Sequence, residues 1–213
     1  MIRMLFMLAN TQPTQNLPLS KRLKAGSTRD HDSVDALVMQ SRPFVDAQRY
    51  ACFLRLQHRF HGAINHLYSH PALNLLLPGL RELPRFEAVC ADMADLGLSC
   101  GVAPVAVKPS SLYKAIGWLY CSEGSNLGAA FLFNETQQLG FNAERGARHL
   151  AAHPEGRALH WRQFVTLLDG LELYEAQQAE AIEGAIDAFD FYRGALRECF
   201  NPALDTQVPA TIP

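Results

Sequence analysis

Charge is scarce in this chain: Asp, Glu, Lys and Arg make up 19% of its 213 residues, almost balanced at a formal net charge of −2. No block of Lys and Arg stands out, so the electrostatic footprint of a nucleic-acid partner is missing. Paired cysteine motifs are missing too. Cys52, Cys90, Cys100, Cys121 and Cys199 are odd in number and widely spread, with no C-x-x-C among them. That excludes a zinc ribbon and a thioredoxin-type motif, and it reads as reduced thiols in a cytoplasmic protein. No apolar stretch is long enough to span a bilayer, and the run Met4 to Leu8 is too short for a secretory h-region. On a cytoplasmic reading the sequon Asn134-Glu135-Thr136 has no use. Strand signals are nearly absent, because Pro104 interrupts the best β-like run, Val102 to Val107. There is no P-loop, no G-x-G-x-x-G and no G-x-S-x-G, so phosphate cradles and a nucleophile elbow are excluded.

What remains is apolar and helical. Hydrophobic residues make up 48% of the chain, enough for one core at this length. The spacing predicts helices over 19–40, 46–70, 84–96, 111–139, 155–171 and 173–200, with Pro43, Pro71 and Gly140 as stops. The expected architecture is all-α, a single-domain helical bundle over 19–200 with short connections. Residues 1–18 and 201–213, rich in proline and without helical period, are expected to be flexible tails.

Two groups of residues invite a functional reading. Lys24, Thr28, His31, Asp35 and Val38 share one face of the first helix, with Lys24 roughly 10 Å from His31 along the axis. A histidine on a partly apolar face is most often a satisfied core residue. Lys24 and Asp35 make it equally readable as a metal ligand, with an anion-binding group two turns upstream and a carboxylate to orient the ring. In the second group Gly117, Gly124 and Gly128 form one stripe of a long helix, with Cys121 between them. Glycine inside a helix costs about 0.5–1 kcal/mol relative to alanine, so something should offset it. Either another helix packs very close, or a flat ligand lies against the bare backbone. The polar Ser122, Ser125 and Asn126 beside the stripe suit a ligand better than plain helix packing. Gln57 falls in the apolar series Tyr50, Phe53, Phe60, Ile64, where a buried amide needs a partner. Tyr120 lies one turn before Gly124, while Phe189 and Tyr192 read by spacing as core. His58, His61, His66 and His70 lie on one helix, but without H-E-x-x-H or carboxylates at ligand spacing no zinc site is expected there.

Several segments together resemble a bacterial haem oxygenase, in particular the Gram-negative branch that frees iron from captured host haem. They are Arg22-Leu23-Lys24-Ala25, His31-Asp32-Ser33-Val34-Asp35, Gly117-Trp118-Leu119-Tyr120-Cys121, Glu123 through Ala130, and Gly146-Ala147-Arg148-His149-Leu150. The resemblance covers the chain between the tails. It implies a haem sandwiched between a proximal helix and a kinked distal helix. It implies His31 as the axial ligand of the haem iron, oriented by Asp35, and Gly124, Ser125 and Gly128 on the distal helix. Lys24 and Tyr120 match propionate contacts, and Gln57, Arg85 and Asn126 match a distal polar network. Cys121, Phe189 and Tyr192 match pocket walls. The implied activity is oxidative cleavage of haem b with O2 and an external electron donor, a reductase or ferredoxin. The implied products are biliverdin, expected to be the α isomer, CO and ferrous iron. A distal side that serves this chemistry should carry hydrogen bonds without a histidine–arginine pair of peroxidase type. The protein is expected to be a cytoplasmic monomer with no nucleic-acid or membrane partner. The alternatives are a haem carrier or sensor on the same fold, and a helical interaction module whose glycine stripe packs a partner.

Overall fold

A computed structural model describes residues 17–200. Apart from Leu17 and Pro18, the two expected tails lie outside the described residues. Among those residues the chain forms seven α-helices: α1 Leu19–Ser41, α2 Ala47–Tyr68, α3 Pro71–Leu76, α4 Phe86–Asp95, α5 Leu112–Gln137, α6 Arg157–Asp169 and α7 Glu175–Phe200. Short 3-10 turns cover Leu80–Glu82 and Arg148–Leu150. The six expected helices are present with ends within two residues of those expected. The additional helix α3 starts on Pro71, which was expected only to stop α2; proline also suits a first helical position. No helix among the described residues is long and apolar enough to cross a membrane.

The helix ends follow their capping chemistry. Asp46 accepts from the Arg49 amide at the start of α2, and Ser111 accepts from the Lys114 amide at the start of α5. The start of α1 has no side-chain cap of its own. Asp169, at the end of α6, fills that role by accepting from the Ser20 amide at 2.7 Å and its hydroxyl at 2.8 Å. A carboxylate there also faces the positive end of the helix. α1 ends at Arg42 in the left-handed region, φ 49°, just before Pro43.

α7 packs against α5, α1 and α2, and α2 against α4. The core falls into two clusters, one around Leu23, Phe60, Ile116 and Leu119, the other around Tyr50, Phe53, Leu54 and Val89. The crossing of α5 and α7 is close enough that a Cβ on Gly117 would enter the backbone at Ala181, Gly184 and Ala185. A Cβ on Gly184 would likewise enter the backbone of Lys114. The bland reading of the glycine stripe is therefore right for Gly117.

The cysteines do not all stay as free thiols. Cys90 and Cys100 are joined in a disulfide, while Cys52, Cys121 and Cys199 are free. Sequence spacing missed this because the pairing depends on a turn. α4 ends with Gly97 in the left-handed region, φ 69°, and the Leu98 amide donates back to the Met93 carbonyl. This reversal returns the chain along α4 and brings the Cys100 Cα to 5.3 Å from that of Cys90, within disulfide range.

Candidate active site

A cavity of about 790 Å³ opens between α1, α5 and α7, with α2 at its inner end. This lies within the range of small-molecule sites. Lys24, His31 and Asp35 line it from α1, Gln57 from α2, and Arg85 from the residue before α4. Tyr120, Cys121, Gly124, Ser125 and Gly128 line it from α5, and Phe189 and Tyr192 from α7. The two halves of the sequence pattern thus face one space. Asn126 does not reach it: its side chain is buried on the other side of α5, where Nδ2 lies 3.4 Å from Glu123 Oε2.

The glycines on the cavity wall differ from Gly117. A Cβ at Gly128 would meet nothing within 4 Å, and one at Gly124 would meet only the Trp161 ring at 3.5 Å. They therefore present open backbone to the cavity rather than to a neighbouring helix. The segment remains helical throughout, and Arg157 of α6 donates to the Asn126 carbonyl at 3.0 Å.

On the facing wall, His31 Nδ1 lies 3.3 Å from Asp35 Oδ2 and 3.7 Å from Asp32 Oδ1. The Phe189 ring meets the imidazole edge-on, with centroids 5.8 Å apart. A carboxylate near one nitrogen and an aromatic wall flank the ring, which leaves Nε2 free to meet a metal. Cys121 is a poor rival for a metal. Its Sγ lies 3.5 Å from the Ala185 carbonyl, and burial pushes the thiol well above its ordinary range, so it stays protonated. Burial also pushes the Tyr120 phenol up to about 12, so it remains a neutral donor.

The inner end of the cavity is more polar than the sequence indicated. Gln57 Nε2 donates to the Tyr192 hydroxyl at 2.8 Å. Next to Gln57 on the wall are His61 and His149, neither of which sequence reasoning selected. His61 is one turn from Gln57 on the same face of α2, and that spacing was the available signal. His149 belongs to a quoted family segment, but only the fold brings it to the cavity. Its Nδ1 lies 2.7 Å from Asp92 Oδ2, and its backbone amide donates to the same oxygen at 3.0 Å. Asp92 is fully buried. Burial alone would raise its carboxyl, yet hydrogen bonds from His149 and Arg148 hold it below the usual range. With Nδ1–H given to Asp92, His149 turns its bare Nε2 to the cavity. His149 Nε2 and His61 Nδ1 are buried with no hydrogen-bond partner in the protein. Burial, then the positive charge of Arg85, then His149, push His61 well below the ordinary imidazole range. His149 is also lowered, chiefly by burial.

To the expected distal side, with Arg85 in a polar network and no histidine–arginine pair of peroxidase type, the structure adds His61 and His149 on the same cavity lining. Both residue types are present, but the histidines are held neutral. Arg85 is drawn toward Glu123, with Nη2 at 3.8 Å from Oε2. Glu123 is fully buried behind the glycine segment. It accepts from Tyr68 at 2.6 Å and pairs with His160 Nε2 at 2.8 Å. This network fixes the back of α5 at the level where its front is bare.

Comparison with known proteins agrees with the geometry. Residues 17–198 match the family model described as "Heme oxygenase". The chain is 40% identical over 195 residues to heme oxygenase PigA of Pseudomonas aeruginosa, covering 91% of this chain and 98% of that one. It superposes with a TM-score of 0.83 and 49% identity on the NO- and CO-bound heme oxygenase of Neisseria meningitidis, over 92% of this chain and 98% of the other. The heme oxygenase of Leptospira interrogans, at 16% identity and a TM-score of 0.68 over 85% of this chain and all of that one, shares the fold. The chain belongs to the haem oxygenase family.

Proposed function

We propose that this haem oxygenase binds haem between α1 and α5 and opens its ring to biliverdin, CO and ferrous iron. The observation that carries this reading is the asymmetry of the cavity: an oriented imidazole on one wall and bare glycine backbone on the other. The residues fit haem. Side chains at Gly124 and Gly128 would fill the space that a flat macrocycle needs, and His61 and His149, whose Nδ1 and Nε2 lack protein partners, line the inner end of the same cavity. Haem is the substrate, and its iron, with O2 and electrons from an external donor, supplies the redox chemistry.

His31 would hold the iron through Nε2, with Asp35 beside Nδ1 to orient the ring. An imidazole ligand donates less electron density than a thiolate, which suits ring hydroxylation better than early O–O cleavage. Lys24 would pair with a propionate and Tyr120 donate its phenolic proton to one. Together they would set the rotation of the ring in its plane, and we assign the α-meso position as the one cut. Gly124, Ser125 and Gly128 exclude side-chain bulk from the distal face. Gln57, Arg85, His61 and His149 surround that face with hydrogen-bonding groups but no acidic imidazole. Asn126 acts from behind through Glu123. Cys121, Phe189 and Tyr192 wall the pocket. Residues 19–200 form the catalytic unit. We place it in the cytoplasm as a monomer served by a reductase or ferredoxin, releasing iron for use by the cell.

The test is to add haemin, a reductant and O2 and follow the Soret band. Its loss, with formation of biliverdin, is the expected result. A persistent Soret band under the same conditions would instead mark a carrier or sensor. No haemin binding would mark an interaction module.

A further inference from the structure

One cluster of donors lies outside this cavity and serves none of the chemistry above. His58 of α2, Cys90 of α4 and Cys100 after the α4 reversal bring their donor atoms within 4.8 Å of one another. The residues come from three separate stretches of chain, so no sequence motif announces them. The His58 ring packs obliquely on Phe86, with centroids 5.1 Å apart. Its Nε2 is buried and has no partner in the protein. A ring packed on Phe86 beside two sulfurs, with one ring nitrogen left without a protein partner, has the form of a metal-ligating histidine.

We propose that the reduced Cys90–Cys100 pair and His58 form a three-ligand site for a thiophilic d10 cation, with Zn2+ as the fitting ion. Two thiolates and one imidazole supply three corners of a tetrahedron and leave the fourth to water. Tetrahedral Zn–S bonds of about 2.3 Å place two sulfurs about 3.8 Å apart, so the disulfide must be reduced and its sulfurs must move apart before the ion enters. The disulfide and the metal exclude each other. A dithiol reductant breaks the S–S bond by exchange and leaves as its own disulfide, returning Cys90 and Cys100 as thiols. Zn2+ then displaces the two thiol protons to solvent and takes the His58 lone pair. Oxidation of the dithiolate by a disulfide oxidant transfers two electrons to that oxidant, re-forms the S–S bond and releases the ion. The site is independent of haem. It adjoins the haem cavity through chain neighbours only: His58 follows Gln57, and Cys90 precedes Asp92 by two residues.

The experiment uses the full chain, reduced and stripped of metal under anaerobic conditions. Zn2+ is titrated against a chromophoric chelator, and Co2+ is used to read thiolate-to-metal charge transfer in the near ultraviolet. The expected result is one equivalent bound by the reduced protein and none by the disulfide form. Cys90→Ser and Cys100→Ser should each remove the Co2+ charge-transfer band. His58→Ala should weaken Zn2+ binding by at least about tenfold, in the range for loss of a ligand-shell group. Cys52→Ser/Cys199→Ser should leave both signals unchanged. Equal binding by the oxidised and reduced wild-type chains would overturn the proposal, and needs no variant to fold. So would no binding by the reduced chain, or a charge-transfer band that survives Cys90→Ser but not Cys52→Ser/Cys199→Ser.

Discussion

Asp35 Oδ2 stands 3.3 Å from Nδ1 of His31, one helical turn back along α1. The pair orients the imidazole whose other nitrogen is assigned to the haem iron. Both side chains are more than half exposed without ligand, so the contact adds little to stability by itself. Its effect should appear on binding. Asp35→Ala is expected to weaken haem binding by about tenfold, the lower end for loss of an orienting carboxylate. Titration of haemin followed at the Soret band measures it, and unchanged affinity would remove Asp35 from the account.

The glycine stripe yields a contrast within one helix. Gly124→Ala places a methyl at ordinary contact distance from the Trp161 ring and Gly128→Ala places one in open space, so each should leave the fold intact and stabilise it by up to about 1 kcal/mol. Gly117→Ala drives a methyl into the α7 backbone and should destabilise by about 1–3 kcal/mol. Thermal unfolding of the three variants separates them. Gly124→Leu and Gly128→Leu should fold but bind haemin poorly or fail to turn it over. Equal melting of all three alanine variants would contradict the division of roles.

That division shows where sequence reading stopped. Helical period, proline stops and capping residues were enough to place α1, α2 and α5, and the Lys24–His31–Asp35 face needs nothing beyond local geometry. The shared helical stripe of Gly117, Gly124 and Gly128 hides that one meets a helix and two line a cavity, since only the packing of α7 decides this. His149 and Asp92 are 57 residues apart, and the Tyr68–Glu123 bond spans 55, so neither buried network has a local signature. Asn126, expected in the distal polar network, meets Glu123 instead of the cavity, and a polar run does not reveal which of its members faces the cavity.

Glu123 is the centre of the second buried network, paired with His160, accepting from Tyr68 and close to Arg85. Glu123→Ala would leave those groups buried without their partner. The expected cost is about 3–5 kcal/mol. At about 2–4 °C per kcal/mol for a domain of this size, the melting temperature should fall by at least about 6 °C. Differential scanning calorimetry checks this, and a fall under one or two degrees would mean that the network is not coupled to the fold.

The buried histidines predict the acid behaviour. His61 and His149 take up protons less readily when folded than at the ordinary value of 6.5. Below that pH the unfolded chain binds more protons than the native one, so stability rises with pH through this window and falls as pH drops below about 6.5. Asp92, lowered by its hydrogen bonds, acts in the same direction but only below its ordinary value of 3.8. Melting temperatures between pH 5 and 7.5 should climb with pH, and His61→Gln should flatten the climb. An equally steep climb in His61→Gln would remove His61 from the explanation.

The central claim is that His31 and the bare face of α5 together open the haem ring. The most direct measurement is CO release from haemin, with a reductant and O2, by wild type and His31→Ala side by side. The account predicts stoichiometric CO with α-biliverdin from wild type, and little or none from His31→Ala with loss of the histidine-ligated spectrum. Wild-type levels of CO and an unchanged spectrum from His31→Ala would contradict it.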